Sequence, residues 1–340
     1  MTDNDRLNLR EVAERAGVAM SSVSRVLSDH PDVSPRMRER VLAVVDELGY
    51  EPNLLAQSLR RGSTLSAGFM VRDISSPLFS EIVLGAETEL RGRGYSMLLT
   101  NSEGLPELDA DHIRLFRRRR VDGLLLSLAD ESHPETLEEL GRLRIPFVLI
   151  DREIVSLPEA SAVLCDHAGG LHEATEHLIR LGHRRLGLVG SPLNTRPGRE
   201  VQRGFEAACA SHGAQGCVEI GPFTSVHGAT ATERLLDRPD PPTAIISGSN
   251  QILPGVLTVL RSRELQIPED LSLVTVDEVR LLAFIEPPIA VVSREPLEIG
   301  REAAALLLRL LQGGEPEQVP IRTRFIPRAS CAPPRVRTPL

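Results

Sequence analysis

The chain has 340 residues, 41% hydrophobic and 25% charged, with a formal net charge of −8. That length holds two or three domains with sizeable cores, and the acidic balance excludes a bulk polyanion binder, so any nucleic-acid contact has to be local. All 39 basic residues are arginine, a bias read as the codon usage of a GC-rich genome, and the four cysteines are scattered without a C-x-x-C pair, which argues against a zinc ribbon or a disulfide framework.

The N-terminal MTDNDRLNLR has no apolar signal region, and no apolar run approaches the ~20 residues of a membrane span. A cytoplasmic protein without membrane contact is therefore expected. Leu9, Val12, Ala13 and Ala16 recur at i, i+3, i+4 and i+7, the apolar face of a first helix. Gly17 follows, where a sharp turn favours positive φ. A second short helix, 20–27, keeps Val23, Val26 and Leu27 inside and turns Met20, Ser21, Ser22, Ser24 and Arg25 outward. Short polar side chains with one bidentate donor suit base edges in the major groove. Ser34-Pro35 opens a third helix as N-cap and first residue; Met37, Val41, Val44, Val45 and Leu48 face inward, and Gly49 ends it. The arginines of the first 61 residues do not outnumber its acids, so DNA affinity here has to come from placement and dimerisation.

After Ser63 the pattern changes. Strand-like runs at 65–71, 95–101, 121–128, 147–151, 162–166, 185–190, 243–248, 271–277 and 290–293 alternate with helices at 80–93, 169–181, 199–212, 251–263 and 297–311. Continuous apolar strands between helices indicate parallel sheets covered on both faces, joined by right-handed crossovers. Two sets of such units are present, with a last helix and strand returning near 294–325. Ligands of such folds bind at the carboxyl ends of strands.

The motifs V-A-x-x-A-G-V at 12–18, V-S-R-V-L at 23–27 and G-Y-x-P-N-x-x-A-Q-S-L at 49–59 resemble the LacI/GalR family of bacterial transcription regulators. The resemblance implies an α/β fold class: an all-α helix-turn-helix headpiece followed by a periplasmic-binding-protein-like core of two doubly wound parallel-sheet subdomains. It implies a headpiece at 1–52, a hinge at 53–63, an N-subdomain at 64–163 with 291–323, a C-subdomain at 164–290 with 324–334, and a disordered tail at 335–340. In the hinge, Asn53 caps a short helix while Ala56 and Leu59 match positions that enter the minor groove. The proline-rich tail has no leucine heptads, so a dimer is favoured over a tetramer.

The loop D-I-S-S-P-L-F at 73–79 resembles the family's cleft loop, placing Leu78 and Phe79 at an effector. Asn101, Asp151, Ser249, Asn250 and Asp277 each follow a strand on the cleft side, with Asp277 the strongest carried-over ligand contact. Two departures stand out. The family's usual arginine three residues before Gly204-Phe205 is Val201 here, leaving Arg199 as a substitute only in changed geometry, and its usual Asn-Asp pair reads Ser249-Asn250, followed by Gln251.

Nothing catalytic competes. In H-E-A-T-E-H at 172–177 the histidines are five apart, not the four that one helix face needs for zinc. The run Arg117–Arg120 suits a helix C-terminus. No G-x-S-x-G, Walker or Rossmann glycine motif occurs. The expectation is a homodimeric regulator, a repressor in sign, that binds palindromic operator DNA and is modulated by a small polar effector such as a sugar, with no enzyme activity, cofactor or metal. An effector-independent DNA-binding dimer and a solute-binding protein remain the alternatives.

Overall fold

The structure, a computed structural model, describes residues 9–27, 30–50 and 63–335. It divides into two compact units, 1–65 and 66–340.

The first unit holds three helices among the described residues: α1 (Leu9–Ala16), α2 (Met20–Leu27) and α3 (Pro35–Leu48). Its core is Val12, Ala13 and Ala16 from α1, Val23 and Val26 from α2, Val41 from α3, and Tyr50. Leu27 is only half-buried. Gly17 turns the chain at φ 59°. The Arg40 guanidinium fixes that turn from α3, donating to Ala16 O at 2.6 Å and Gly17 O at 2.7 Å. Ser34 Oγ accepts from Met37 N at 3.3 Å, and α3 closes at left-handed Gly49 with Tyr50 N donating to Val45 O at 2.9 Å.

The second unit is built on two six-stranded sheets. The first contains β1 (Ser66–Val71), β2 (Ser96–Asn101), β3 (Gly123–Leu126), β4 (Phe147–Ile150), β5 (Ser161–Cys165) and β11 (Gln318–Ile321), ordered β11-β5-β4-β3-β1-β2. The second contains β6 (Arg185–Gly190), β7 (Gln215–Ile220), β8 (Ala244–Ser247), β9 (Ser272–Val276), β10 (Ala290–Ser293) and β12 (Arg324–Ile326), ordered β12-β10-β9-β8-β6-β7. Among the described residues only the β10–β12 pairing is antiparallel. Central strands such as β3, β8 and β9 are buried along their whole length, as a sheet covered on both faces requires.

Helices α4 (Pro77–Gly92), α5 (Pro106–Arg119), α6 (Pro134–Gly141) and α11 (Pro296–Leu311) belong with the first sheet. Helices α7 (His167–Arg180), α8 (Arg196–Ser211), α9 (Ser225–Leu236) and α10 (Leu253–Ser262) belong with the second. α4 and α11 meet backbone to backbone: a Cβ at Gly300 would lie 1.9 Å from Ile82 O. No helix among the described residues is long and apolar enough to cross a membrane.

Two boundaries differ from the sequence reading. The chain leaves the first sheet after Cys165, not after 163, and β10 at 290–293 stays in the second sheet, so the return crossover begins after Ser293. The expected final strand is two strands, one for each sheet. The edge strand β7 was not foreseen: Gly216 and Glu219 break its apolar run, and its pairing with β6 makes it a strand.

Candidate DNA-reading helix and ligand cleft

Helix α2 presents the face that the sequence suggests. Val23 and Val26 are buried, Met20, Ser21 and Arg25 are exposed, and Ser22 and Ser24 are half-buried. No acidic residue stands in its first turn, so its N-terminal dipole favours an approaching phosphate. Asn53, Ala56 and Leu59 lie outside the described residues.

In the second unit, loops at the carboxyl ends of strands from both sheets surround a narrow pocket with about 40 Å³ of water-accessible space. Leu78, Phe79, Asp151, Ser249, Asn250 and Asp277 all line it. Asn101 and Arg199 do not. Asn101 Oδ1 accepts from Ile74 N at 3.0 Å and so supports the 73–79 loop from behind. Arg199 lies at the cleft edge, donating to Glu131 Oε2 at 2.7 Å, while Val201 lines the pocket. Arg196, one turn earlier on α8, reaches inward instead, 2.8 Å from Cys165 O and 3.4 Å from Asp151 Oδ1.

The two aspartates are placed by the same device. Asp151 follows β4 with φ 55° and Asp277 follows β9 with φ 70°. Left-handed backbone is costly for a side-chain-bearing residue, though aspartate tolerates it better than most, and such residues gather at functional sites. Both are buried, and one guanidinium joins them: Arg294, just after β10, donates from Nε to Asp277 Oδ1 at 2.8 Å and from Nη1 to Asp151 Oδ2.

His167 Nε2 is 2.7 Å from Asp151 Oδ2, and Cys165 N donates to Asp151 Oδ1 at 3.2 Å. Burial works to raise Asp151, but His167, Arg294 and Arg152 overcome it and hold the carboxyl well below the usual range. Burial likewise opposes the Arg294 charge, and Asp277, Cys165 and Asp151 drive its pKa well above the ordinary value. The Cys165 thiol is pushed up to about 12 by burial and by Asp151, so it stays protonated and inert. Asp151, Cys165 and His167 have ligand atoms within 4.8 Å of one another. Arg294 already sits in that group as its cation, and the protonated thiol is a poor metal ligand.

Sequence reasoning missed Arg294, His167, Arg152 and Arg72. Arg72 follows β1 and reaches across the cleft, where Nη2 donates to Gln251 Oε1 and the guanidinium lies 4.2 Å from the Phe223 ring centroid. Gln251 Nε2 in turn donates to Asp73 Oδ2. A three-helix headpiece with an outward polar helix, followed by two α/β subdomains enclosing a polar cleft, defines a DNA-binding regulator with a ligand-binding core.

The comparisons place it. Residues 8–53 match the profile described as bacterial regulatory proteins, lacI family, and residues 175–331 match a periplasmic binding protein-like domain. The chain belongs to the lacI family and is a DNA-binding transcriptional repressor. It is 31% identical over 310 residues to the HTH-type transcriptional repressor PurR of Haemophilus influenzae strain PittEE, covering 88% of this chain and 90% of that one. It is 32% identical over 306 residues to the ribose operon repressor of Escherichia coli K12, covering 88% and 92%. Among solved structures, the transcriptional regulator CelR–cellobiose complex is 31% identical with a TM-score of 0.71, over 96% of this chain and all of that one.

Proposed function

We propose that the protein binds a palindromic operator as a homodimer, reads it through α2, and changes its DNA affinity when a small polar effector occupies the cleft of its core. Met20 and Ser21 set base preference, and Arg25 supplies a bidentate or phosphate contact, with Ser22 and Ser24 beside them. Asn53, Ala56 and Leu59 engage the minor groove from the hinge. In the cleft, Asp277 offers Oδ2 to a ligand hydroxyl, Ser249 and Asn250 add hydrogen bonds, and Leu78 and Phe79 supply an apolar wall. Asp151 acts indirectly, because its carboxylate is already engaged by His167 and Arg294. The solved relative holds cellobiose, which supports a small hydroxylated ligand here.

The single observation that carries this reading is the pair of left-handed aspartates facing one pocket from two sheets. A ligand touching both sheets stabilises one cleft angle over others, and that preference is the coupling free energy an effector needs. It reaches the headpiece through the 53–63 segment.

A second copy of this chain covers an apolar face of the core. Leu84 on α4 is 55% exposed, and Leu281 and Phe284 after β9 are 67% and 83% exposed. The Arg280–Glu81 ion pair at 3.4 Å holds these two segments side by side. Contiguous exposed apolar residues of this kind mark an interface.

The test is to bind genomic fragments to the purified protein, identify the recovered palindrome, and titrate it with and without sugars, sugar alcohols, nucleosides and phosphorylated metabolites. A compound that shifts operator affinity in the native protein and has no effect in Asp277→Ala, whose ligand-free operator affinity is unchanged, supports the reading. No shift with any compound, together with side chains filling the cleft in a crystal, supports an effector-independent dimer instead.

A further inference from the structure

Three arginines line the cleft, and their charges are met differently. Arg294 has two carboxylates. Among the described residues, Arg72 and Arg152 have no carboxylate within ion-pair distance. Arg72 is held by the neutral Gln251 amide and lies over the face of Phe223, with Phe79 at 6.0 Å on another side. Arg152, only 3% exposed, donates to two carbonyls, Leu128 O at 2.6 Å and Asp151 O at 2.8 Å. Burial, then the neighbouring Arg152, lower Arg72 to about 10, with Asp73, Asp277 and Asp109 only partly offsetting them. Burying a cation without an anionic partner is costly.

The cleft also holds donors with nothing to donate to, one from each sheet. Ser127 is 1% and Asn250 9% exposed; neither Ser127 Oγ nor Asn250 Nδ2 has a hydrogen-bond partner, and both residues line the pocket. A hydroxyl can donate and an amide NH₂ can only donate. The pocket lining therefore contains three arginines against two aspartates, with spare donors on both sides of the cleft. Asp277 Oδ2, not used by Arg294, remains as an acceptor.

We infer that the cleft takes a small hydroxylated oxyanion, a carboxylate or a phosphate ester, whose anionic end sits between Arg72, Ser127 and Asn250 and whose hydroxyls reach Asp277. This rests on the cleft being an effector site, and it goes further by excluding a neutral sugar as the preferred ligand. Charge-assisted hydrogen bonds are roughly twice as strong as neutral ones. An oxyanion at this point contacts Arg72 from one sheet and Asn250 from the other, so it also bridges the two subdomains.

The experiment uses the full chain, and Arg72→Met beside it, in thermal melts and operator titrations. Gluconate and glucuronate test the carboxylate, and glucose 6-phosphate tests the phosphate ester. Glucose and sorbitol present similar skeletons without charge, and inorganic phosphate presents the charge alone. The inference predicts that at least one of the two acid classes raises the melting temperature of the native protein and changes operator affinity, and that glucose and sorbitol do neither. Arg72→Met should weaken that acid about tenfold to a hundredfold, as loss of a charged hydrogen bond implies, while its ligand-free melting temperature equals or exceeds the native value.

Stabilisation by glucose or sorbitol as strong as by the acids overturns the inference and leaves the effector reading standing. Stabilisation by inorganic phosphate alone also overturns it, as an adventitious ion only. Silence across the panel overturns the inference, Arg72 then being a structural cross-link to Gln251, and leaves the effector reading to the wider panel of the operator titration.

Discussion

Replacing Arg294 by methionine removes the cation that bridges the buried Asp151 and Asp277. Arg294 Nε donates to Asp277 Oδ1 at 2.8 Å and Nη1 donates to Asp151, and all three side chains are less than a tenth exposed. Each charged hydrogen bond contributes about 1.5–3 kcal/mol, and breaking a buried pair by removing one partner costs about 3–5 kcal/mol. His167 and the more distant Arg196 still face Asp151, so the loss falls mainly on Asp277, and about 4 kcal/mol is expected. For a core of this size that lowers the melting temperature by roughly 8–16 °C.

The loss has a sign in pH. With Arg294 gone, Asp151 loses part of what holds its carboxyl well below the usual range, so stability that the native chain has above about pH 4 and loses as pH falls is reduced. The variant therefore loses more stability at pH 7 than at pH 3. Arg294→Met with Asp277→Asn recovers part of the loss, because no uncompensated carboxylate remains at that position. The assay is chemical unfolding followed by far-ultraviolet circular dichroism at the two pH values. A loss below about 1 kcal/mol, or one equal at both pH values, refutes the bridging role, since the buried-pair estimate allows neither.

Exchanging Met20 and Ser21 for other exposed side chains should change the consensus recovered from a random DNA pool while circular dichroism stays native; an unchanged consensus removes them from base readout. Leu59→Ala should weaken operator binding far more than non-specific binding, because a minor-groove wedge recovers its energy only on a bendable step; equal losses on both DNAs count against the wedge. Burial pushes Asp109 up to about 6 in the fold, above the 3.8 of an ordinary aspartate. Its contribution is therefore present below pH 4 and lost as pH rises through 6, so Asp109→Asn should gain about 2–3 kcal/mol relative to native at pH 7.5 and little at pH 4. Denaturant midpoints at the two pH values check this, and a gain equal at both contradicts it.

The headpiece was readable in the sequence because its devices are local. Gly17, Ser34-Pro35 and Gly49 act within a turn of where they stand, and period 3.6 identifies the buried faces. The parallel sheets were readable for the same reason, as apolar runs between helices. β7 escaped because an edge strand is defined by its partner, and Gly216 and Glu219 hide it.

The cleft was half-readable. Asp151 and Asp277 stand where an apolar run ends in a carboxylate, and that rule finds them. Arg294 and Arg72 stand at the corresponding places, directly after β10 and β1, but end those runs in a cation, which a search for carboxylates passes by. The convergence of residues 151, 167, 277 and 294 on one point follows from chain crossovers between the sheets, and no spacing along the chain displays it. Arg199 shows the reverse: it is the nearest arginine in sequence, but the helix turns it to Glu131 and directs Arg196 to Cys165 O and Asp151 instead.

The central claim is that this acidic chain reads DNA sequence through one helix face. The direct measurement is an equilibrium titration of the recovered palindrome against a scrambled duplex of the same length, at one fixed physiological salt concentration, for the native protein and for Met20 and Ser21 replaced together. The account predicts a native preference of about a thousandfold or more for the palindrome, and a preference reduced or redirected in the variant. Equal affinity of the native protein for both duplexes contradicts it.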